Sequence, residues 1–148
     1  PPYTHTNTHT HTHTHTHIYR DIIFGNETEA EAFSKANNFG TSDLKEIALK
    51  MAALPKKNTA RPRVVILTHG PDPITVAVGS EVSTYAVNFV KKEDIVDTNG
   101  AGDAFVGGFL AQLALGKTLP EAIRAGSWAA SIVIRRSGAT VPEKCEYH

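Results

Sequence analysis

Asp97-Thr98-Asn99-Gly100-Ala101-Gly102-Asp103-Ala104-Phe105-Val106-Gly107-Gly108-Phe109-Leu110 joins a polar, glycine-punctuated turn directly to an apolar run. Gly100 and Gly102 bracket Ala101 just ahead of that run, so the spacing predicts a loop whose backbone N–H groups converge where a helix begins. Such a loop binds anions. Asp103 falls in the first turn of the predicted helix, beside any anion the loop holds. A carboxylate there is poorly suited to binding phosphate and well suited to taking a proton from a hydroxyl that attacks one. The bland alternative is a simple turn followed by an acid that the helix dipole favours.

The sequence on either side alternates strand-like and helix-like patterns. Upstream, Asp21-Ile22-Ile23-Phe24 reads as a short buried strand ended by Gly25-Asn26, and Glu27 to Ala36 has alanine-rich helical composition. Asn26 sits at the N-cap, and Glu29 three residues on completes a capping-box pair. Ser42-Asp43 opens a second helix with Leu44, Ile47, Ala48, Met51 and Leu54 on one face, stopped by Pro55. Residues 56–62 read as a basic, solvated loop. The run Arg63-Val64-Val65-Ile66-Leu67-Thr68 has the continuous apolar character of a central parallel strand covered on both faces. After His69-Gly70, Ile74 to Val78 and Val82 to Val87 read as an antiparallel hairpin at a sheet edge.

Downstream, the helix from Gly102 to about Leu115 carries Phe105, Phe109, Gln112 and Leu113 at helical spacing, with Gly107 and Gly108 allowing close packing against the sheet. Gly116 ends it. Thr118-Leu119-Pro120-Glu121 is a capping box that opens a last helix running to about Arg135. Its small residues suit close helix contact, and Trp128 reads as core or interface. The alternation as a whole predicts an α/β fold.

The full string from Asp97 to Phe105 resembles the C-terminal signature of the ribokinase-type (PfkB) sugar and nucleoside kinases. Its Asn99 form, followed by Phe105-Val106-Gly107-Gly108-Phe109-Leu110, is similar to the adenosine-phosphorylating members. The resemblance runs from about Arg20 to the end and implies the C-terminal part of a ribokinase-like three-layer α/β/α fold. It implies transfer of the γ-phosphoryl group of ATP to the 5′-hydroxyl of adenosine, giving AMP. Asp103 is then the general base, and Gly100, Ala101 and Gly102 form the anion hole. Asn26-Glu27-Thr28-Glu29 matches the family's Asn-x-x-Glu pair, which places Mg²⁺ through water, a role compatible with the cap.

The same resemblance assigns Thr68 and Gly70, ahead of the lone His69, to the nucleotide phosphates, and Ser127, Ala130 and Ser131 to the flank of the adenine. Ser127-Trp128 departs from the His-Tyr expected in many adenosine-phosphorylating members. Arg135-Arg136-Ser137-Gly138-Ala139-Thr140 matches the final loop, so Asp97, Asn99, Arg135 and Gly138 are candidate holders of K⁺, largely through backbone. The arginines can equally cap the helix C-terminus. The lid and the nucleoside-recognition residues of the family lie upstream of what this sequence contains. A non-catalytic nucleotide-binding fragment, a pseudogene product and another ribokinase-family kinase remain alternatives.

Residues 1–19 are set apart from residues 20–148. From Thr4 to His17, threonine and histidine alternate with one break at Asn7. Neither face of a strand there is apolar, so the tract is expected to be disordered. His9, His11, His13, His15 and His17 can chelate a divalent metal, although no residues orient the imidazoles. A CA dinucleotide repeat also translates as alternating His and Thr, which makes a translated microsatellite or a gene fragment the blander origin.

Formal charge is balanced at +0, so no basic field argues for nucleic acid or a membrane surface. Cys145 is the sole cysteine, which excludes an internal disulfide, and Glu146 and Tyr147 after it do not fit a prenylation box. No apolar run reaches the length of a membrane span, and nothing near Pro1 resembles a signal peptide. The expectation is a cytoplasmic enzyme, monomeric in its full form, with ATP and adenosine as its small-molecule partners.

Overall fold

The computed structural model describes residues 21–138, 140, 142–144 and 147. The histidine-threonine tract, Arg20 and Cys145 lie outside them. Strand β1 (Ile22–Asn26) does not stop at Phe24 but runs on through Gly25 and Asn26, and within it only Ile23 is buried. Asn26 therefore serves two elements, as the last strand residue and as the N-cap of helix α1 (Glu27–Ala36). The Glu29 N–H donates to Asn26 Oδ1 at 2.8 Å, and the Asn26 N–H donates to Glu29 Oε2 at 2.9 Å. This reciprocal pair satisfies two N–H groups that the helix itself leaves without partners.

Asp43 caps helix α2 (Leu44–Ala53), accepting from the Glu46 N–H at 3.0 Å. Ile47, Ala48, Met51 and Ala52 are buried along one stripe, while Leu54 is the C-cap. Helices α1 and α2 form the crossover that a parallel strand pair requires. Strand β2 (Val64–His69) pairs parallel with β1 in a register from Ile22↔Val64 to Asn26↔Thr68. Ile23, Ala30, Ile47, Ala48, Met51, Val65, Leu67 and Ala77 make one core cluster.

Strands β3 (Asp72–Val78) and β4 (Glu81–Tyr85) complete a sheet of order β1-β2-β3-β4. Only Gly70, at φ +51°, and Pro71 link β2 to β3, a connection that antiparallel neighbours alone admit, so the sheet is mixed. The expected edge hairpin is half right. β3 is an interior strand with Ile74, Thr75, Val76 and Ala77 buried, and only the more exposed β4 is the edge.

Two basic residues here are held by protein partners, Arg63 beside the strand it is expected to open and Lys56 against the solvated reading of residues 56–62. Arg63 is 1% exposed, and its guanidinium donates to the carbonyls of Met51 (3.1 Å), Leu54 (2.6 Å) and Pro55 (3.2 Å). Its side chain thus supplies donors to the carbonyls that end α2, and its burial lowers the guanidinium pKa. Lys56 is not free in solvent either but forms an ion pair with Asp21, whose carboxyl is held below its ordinary value chiefly by that contact.

Contacts group the chain into two compact units, one running through His69 with Ile74–Thr84, the other comprising Gly70–Pro73 and Tyr85 onward. The second contains a short 3₁₀ turn, Lys92–Asp94, then helices α3 (Ala101–Ala114) and α4 (Leu119–Val133). Gly116, at φ +73°, turns the chain between them. Gly108 packs on α4: a Cβ there would lie 2.7 Å from the Ala125 carbonyl oxygen, whereas one on Gly107 would meet nothing within 4 Å. Gly126 answers from α4, where an added Cβ would lie 2.8 Å from the Phe105 carbonyl oxygen. Thr118 and Glu121 form the expected capping box, and α4 ends at Val133, two residues short of the predicted limit.

Candidate active site

The backbone at Gly100 adopts φ +80°, a left-handed conformation that glycine reaches without a Cβ clash, and the chain then enters α3 at Ala101. Gly102 and Asp103 follow within the first helical turn, where N–H groups have no partner inside the helix. Ala101 is different, because its N–H donates to the Thr98 carbonyl at 3.3 Å. The donors best disposed toward an anion are therefore those of Gly100, Gly102 and Asp103, together with the positive end of the α3 dipole. Asp103 is exposed, so its carboxylate is accessible to a hydroxyl substrate.

A groove of about 490 Å³ opens beside this turn. Gly100, Asp103 and Ala104 line one part of it, and Gly108, Trp128 and Ile132 line another. Trp128 is half-buried, as expected of an interface residue, and its ring centroid lies 5.4 Å from that of Tyr147. Of the three residues that family resemblance places beside the adenine, two are buried and hydrogen-bonded within the protein. Ser127 is buried, accepts from the Asn88 N–H at 2.7 Å, and donates to Asn88 Oδ1 at 3.4 Å. Ser131 is buried and donates to the Trp128 carbonyl at 2.6 Å. Ala130 is half-buried, and none of the three is among the groove-lining residues.

The segment before Gly100 is bound to the loop after α4. The N–H groups of Val96 and Asp97 both donate to the Ile134 carbonyl, at 2.8 and 3.2 Å. In the other direction, Asp97 Oδ2 accepts from the Gly138 N–H at 3.3 Å, while Oδ1 accepts from the Asn99 N–H at 2.9 Å. Asp97, Asn99 and Gly138 are thus brought together, and Arg135 is exposed. The Ile134 carbonyl and Asn88 escaped the sequence reading because a main-chain acceptor and a loop amide leave no side-chain pattern.

In the first unit, Asn26, Glu29 and Thr68 are neighbours. Asn26 pairs with Thr68 across β1 and β2, and the Thr68 hydroxyl donates to the Gly25 carbonyl at 3.4 Å. Asn26 and Glu29 are exposed at the start of α1, and one carboxylate oxygen of Glu29 is occupied by the cap. Gly70 follows in the exposed turn after β2. Among the described residues, no group of three or more His, Cys, Asp and Glu could enclose a metal ion, and no helix is long and apolar enough to cross a membrane.

Residues 7–145 match the family described as pfkB family carbohydrate kinase. Adenosine kinase 1 of Arabidopsis thaliana is 51% identical over 130 residues, a match that covers 88% of this chain and 38% of the plant protein. The crystal structure of Anopheles gambiae adenosine kinase in complex with P1,P4-di(adenosine-5) tetraphosphate superposes with a TM-score of 0.76 and 52% identity, covering 80% of this chain and 35% of that one. Ribokinase from Thermotoga maritima does so with a TM-score of 0.72 and 33% identity, covering 85% and 39%. The α/β architecture is thus ribokinase-like, and the chain spans 38% of the length of its Arabidopsis relative.

Proposed function

The chain belongs to the pfkB family of carbohydrate kinases, and on that premise we propose that it carries the ATP-binding and catalytic part of an adenosine kinase. The reaction is transfer of the γ-phosphoryl group of ATP to the 5′-hydroxyl of adenosine, giving AMP. The observation that carries this reading is the left-handed turn at Gly100 leading into α3, with the exposed carboxylate of Asp103 in its first turn. Asp103 accepts the hydroxyl proton, and the N–H groups of Gly100 and Gly102 stabilise charge on the transferred group, while that of Ala101 would first have to leave the Thr98 carbonyl. Preorganised donors of this kind contribute roughly 3–4 kcal/mol each. The 51% identity to an adenosine kinase favours adenosine over other alcohols.

Asn26 and Glu29 fit a water-shelled Mg²⁺: both are exposed oxygen donors, and the cap engages one Glu29 oxygen only. Bound there, the ion would neutralise phosphate charge. By family resemblance we assign Thr68 and Gly70 to the nucleotide phosphates, and the side of α4 that carries Ser127, Ala130 and Ser131 to the flank of its base. Both oxygens of Asp97 already accept N–H groups, so the K⁺ site formed with Asn99, Arg135 and Gly138 would have to share that carboxylate. None of the other roles needs potassium.

The test is phosphoryl transfer from MgATP to adenosine by the natural polypeptide. Asp103→Asn should lower kcat by roughly 10²–10⁴-fold, the range for loss of a general base, with ATP affinity nearly unchanged. Retained turnover in that variant would sink the base assignment. ATP binding without any turnover of the unaltered protein would instead favour a non-catalytic nucleotide-binding role.

A further inference from the structure

We propose that Asp97 is a positioning residue for the anion-binding turn, acting as a carboxylate clamp between the segment that leads to Gly100 and the loop that follows α4. The inference rests on the kinase reading above and deepens it. The left-handed turn is closed by the Ala101 N–H on the Thr98 carbonyl and joined to α3 by the Ala104 N–H on the Gly100 carbonyl, yet donors aimed at a developing charge are effective only if the turn as a whole is held in place beforehand. Its fastening to the loop after α4 is at residues 96 and 97. Val96 and Asp97 donate their N–H groups to the Ile134 carbonyl, so the loop holds the segment by its main chain. Asp97 returns the contact through its side chain, with one oxygen on the Gly138 N–H and the other on the Asn99 N–H.

A carboxyl group presents one acceptor oxygen to each side. An amide at position 97 has one oxygen, and its NH₂ group would face a second donor. Alanine removes both bonds and leaves the main-chain contacts to Ile134 alone. The residue lies three positions before Gly100, so the Asn99 bond fixes the backbone immediately ahead of the left-handed turn. Asp97 itself need touch neither substrate nor phosphate.

The experiment compares the unaltered natural polypeptide with Asp97→Ala and Asp97→Asn. Misplacement of donors by about 1 Å costs on the order of 100-fold in rate, so Asp97→Ala should lower kcat by about 10- to 100-fold, with KM for ATP within about threefold. Asp97→Asn, keeping one of the two acceptors, should fall between them. Hydrogen exchange at the Ala101 amide, which the turn's bond to the Thr98 carbonyl protects, should accelerate in the same order. A kcat for Asp97→Ala within twofold of the unaltered protein overturns the proposal, and so does a loss of turnover matched by an equal loss of folded protein. Absence of any ATP-dependent turnover in the unaltered protein counts against the kinase reading, and the exchange measurement then decides the clamp by itself. Unchanged exchange at Ala101 overturns it.

Discussion

Two adjacent glycines separate what sequence can reveal at the scale of a residue from what it cannot. Gly107 and Gly108 look alike in the string, yet a methyl group on Gly108 would sit 2.7 Å from the Ala125 carbonyl oxygen, while one on Gly107 would meet nothing within 4 Å. Gly108→Ala should therefore lose about 1–3 kcal/mol of stability through overpacking. Gly107→Ala should gain roughly 0.5–1 kcal/mol, because alanine loses less backbone freedom in a helix. Urea midpoints at constant m-value check the pair, and a common sign for the two changes would refute the packing of α3 on α4. The expectation that both glycines pack against the sheet is corrected: Gly108 alone of the two is in close contact, and with α4, which the string does not state because it depends on a facing helix. Arg63 is illegible for the same reason, since its carbonyl partners come from the end of α2, up to twelve residues earlier in the chain.

Elements were legible where their chemistry is local. The N-caps of α1, α2 and α4 stand at Asn26, Asp43 and Thr118, as side-chain type and spacing predict, because a cap needs only its own next three residues. The cap of α4 also makes its stability depend on acid. The Glu121 carboxylate accepts from the Thr118 N–H and hydroxyl, both at 2.8 Å, and these bonds hold its pKa below the ordinary 4.5. A folded pKa below the unfolded one means that the contribution is fully present above the unfolded value and is lost as pH falls through the folded one. The stabilisation from the Glu121 carboxylate should thus be complete above the ordinary 4.5 and be lost progressively as pH falls below it. Thr118→Ala should raise the Glu121 titration midpoint toward 4.5 by carboxylate NMR, and an unmoved midpoint would show that the cap does not hold the charge. Strand pairing was less legible, because a hairpin signal does not state that β3 also pairs with β2 on its far side, which makes it interior.

Across the whole chain, the order of strands and helices and the α/β class follow from patterns present in the sequence, and the motif at Asp97–Phe105 points to the family that residues 7–145 match. Burial of Ser127 and Ser131 away from the groove was beyond reach, because a helix with small residues on several faces does not state which face meets solvent. The site as a whole is best tested by a ligand that stabilises only the folded state. At a concentration of 100 times its Kd, MgATP should add about 2.7 kcal/mol by mass action, which in a chain of this size raises Tm by roughly 5–10 °C. Asp103→Asn should keep that shift while losing turnover, because the base acts on the acceptor hydroxyl and not on the nucleotide. A lost shift in this variant would make Asp103 part of nucleotide or metal binding. A shift absent from the unaltered protein would leave the left-handed turn at Gly100 without the anion it is built to receive.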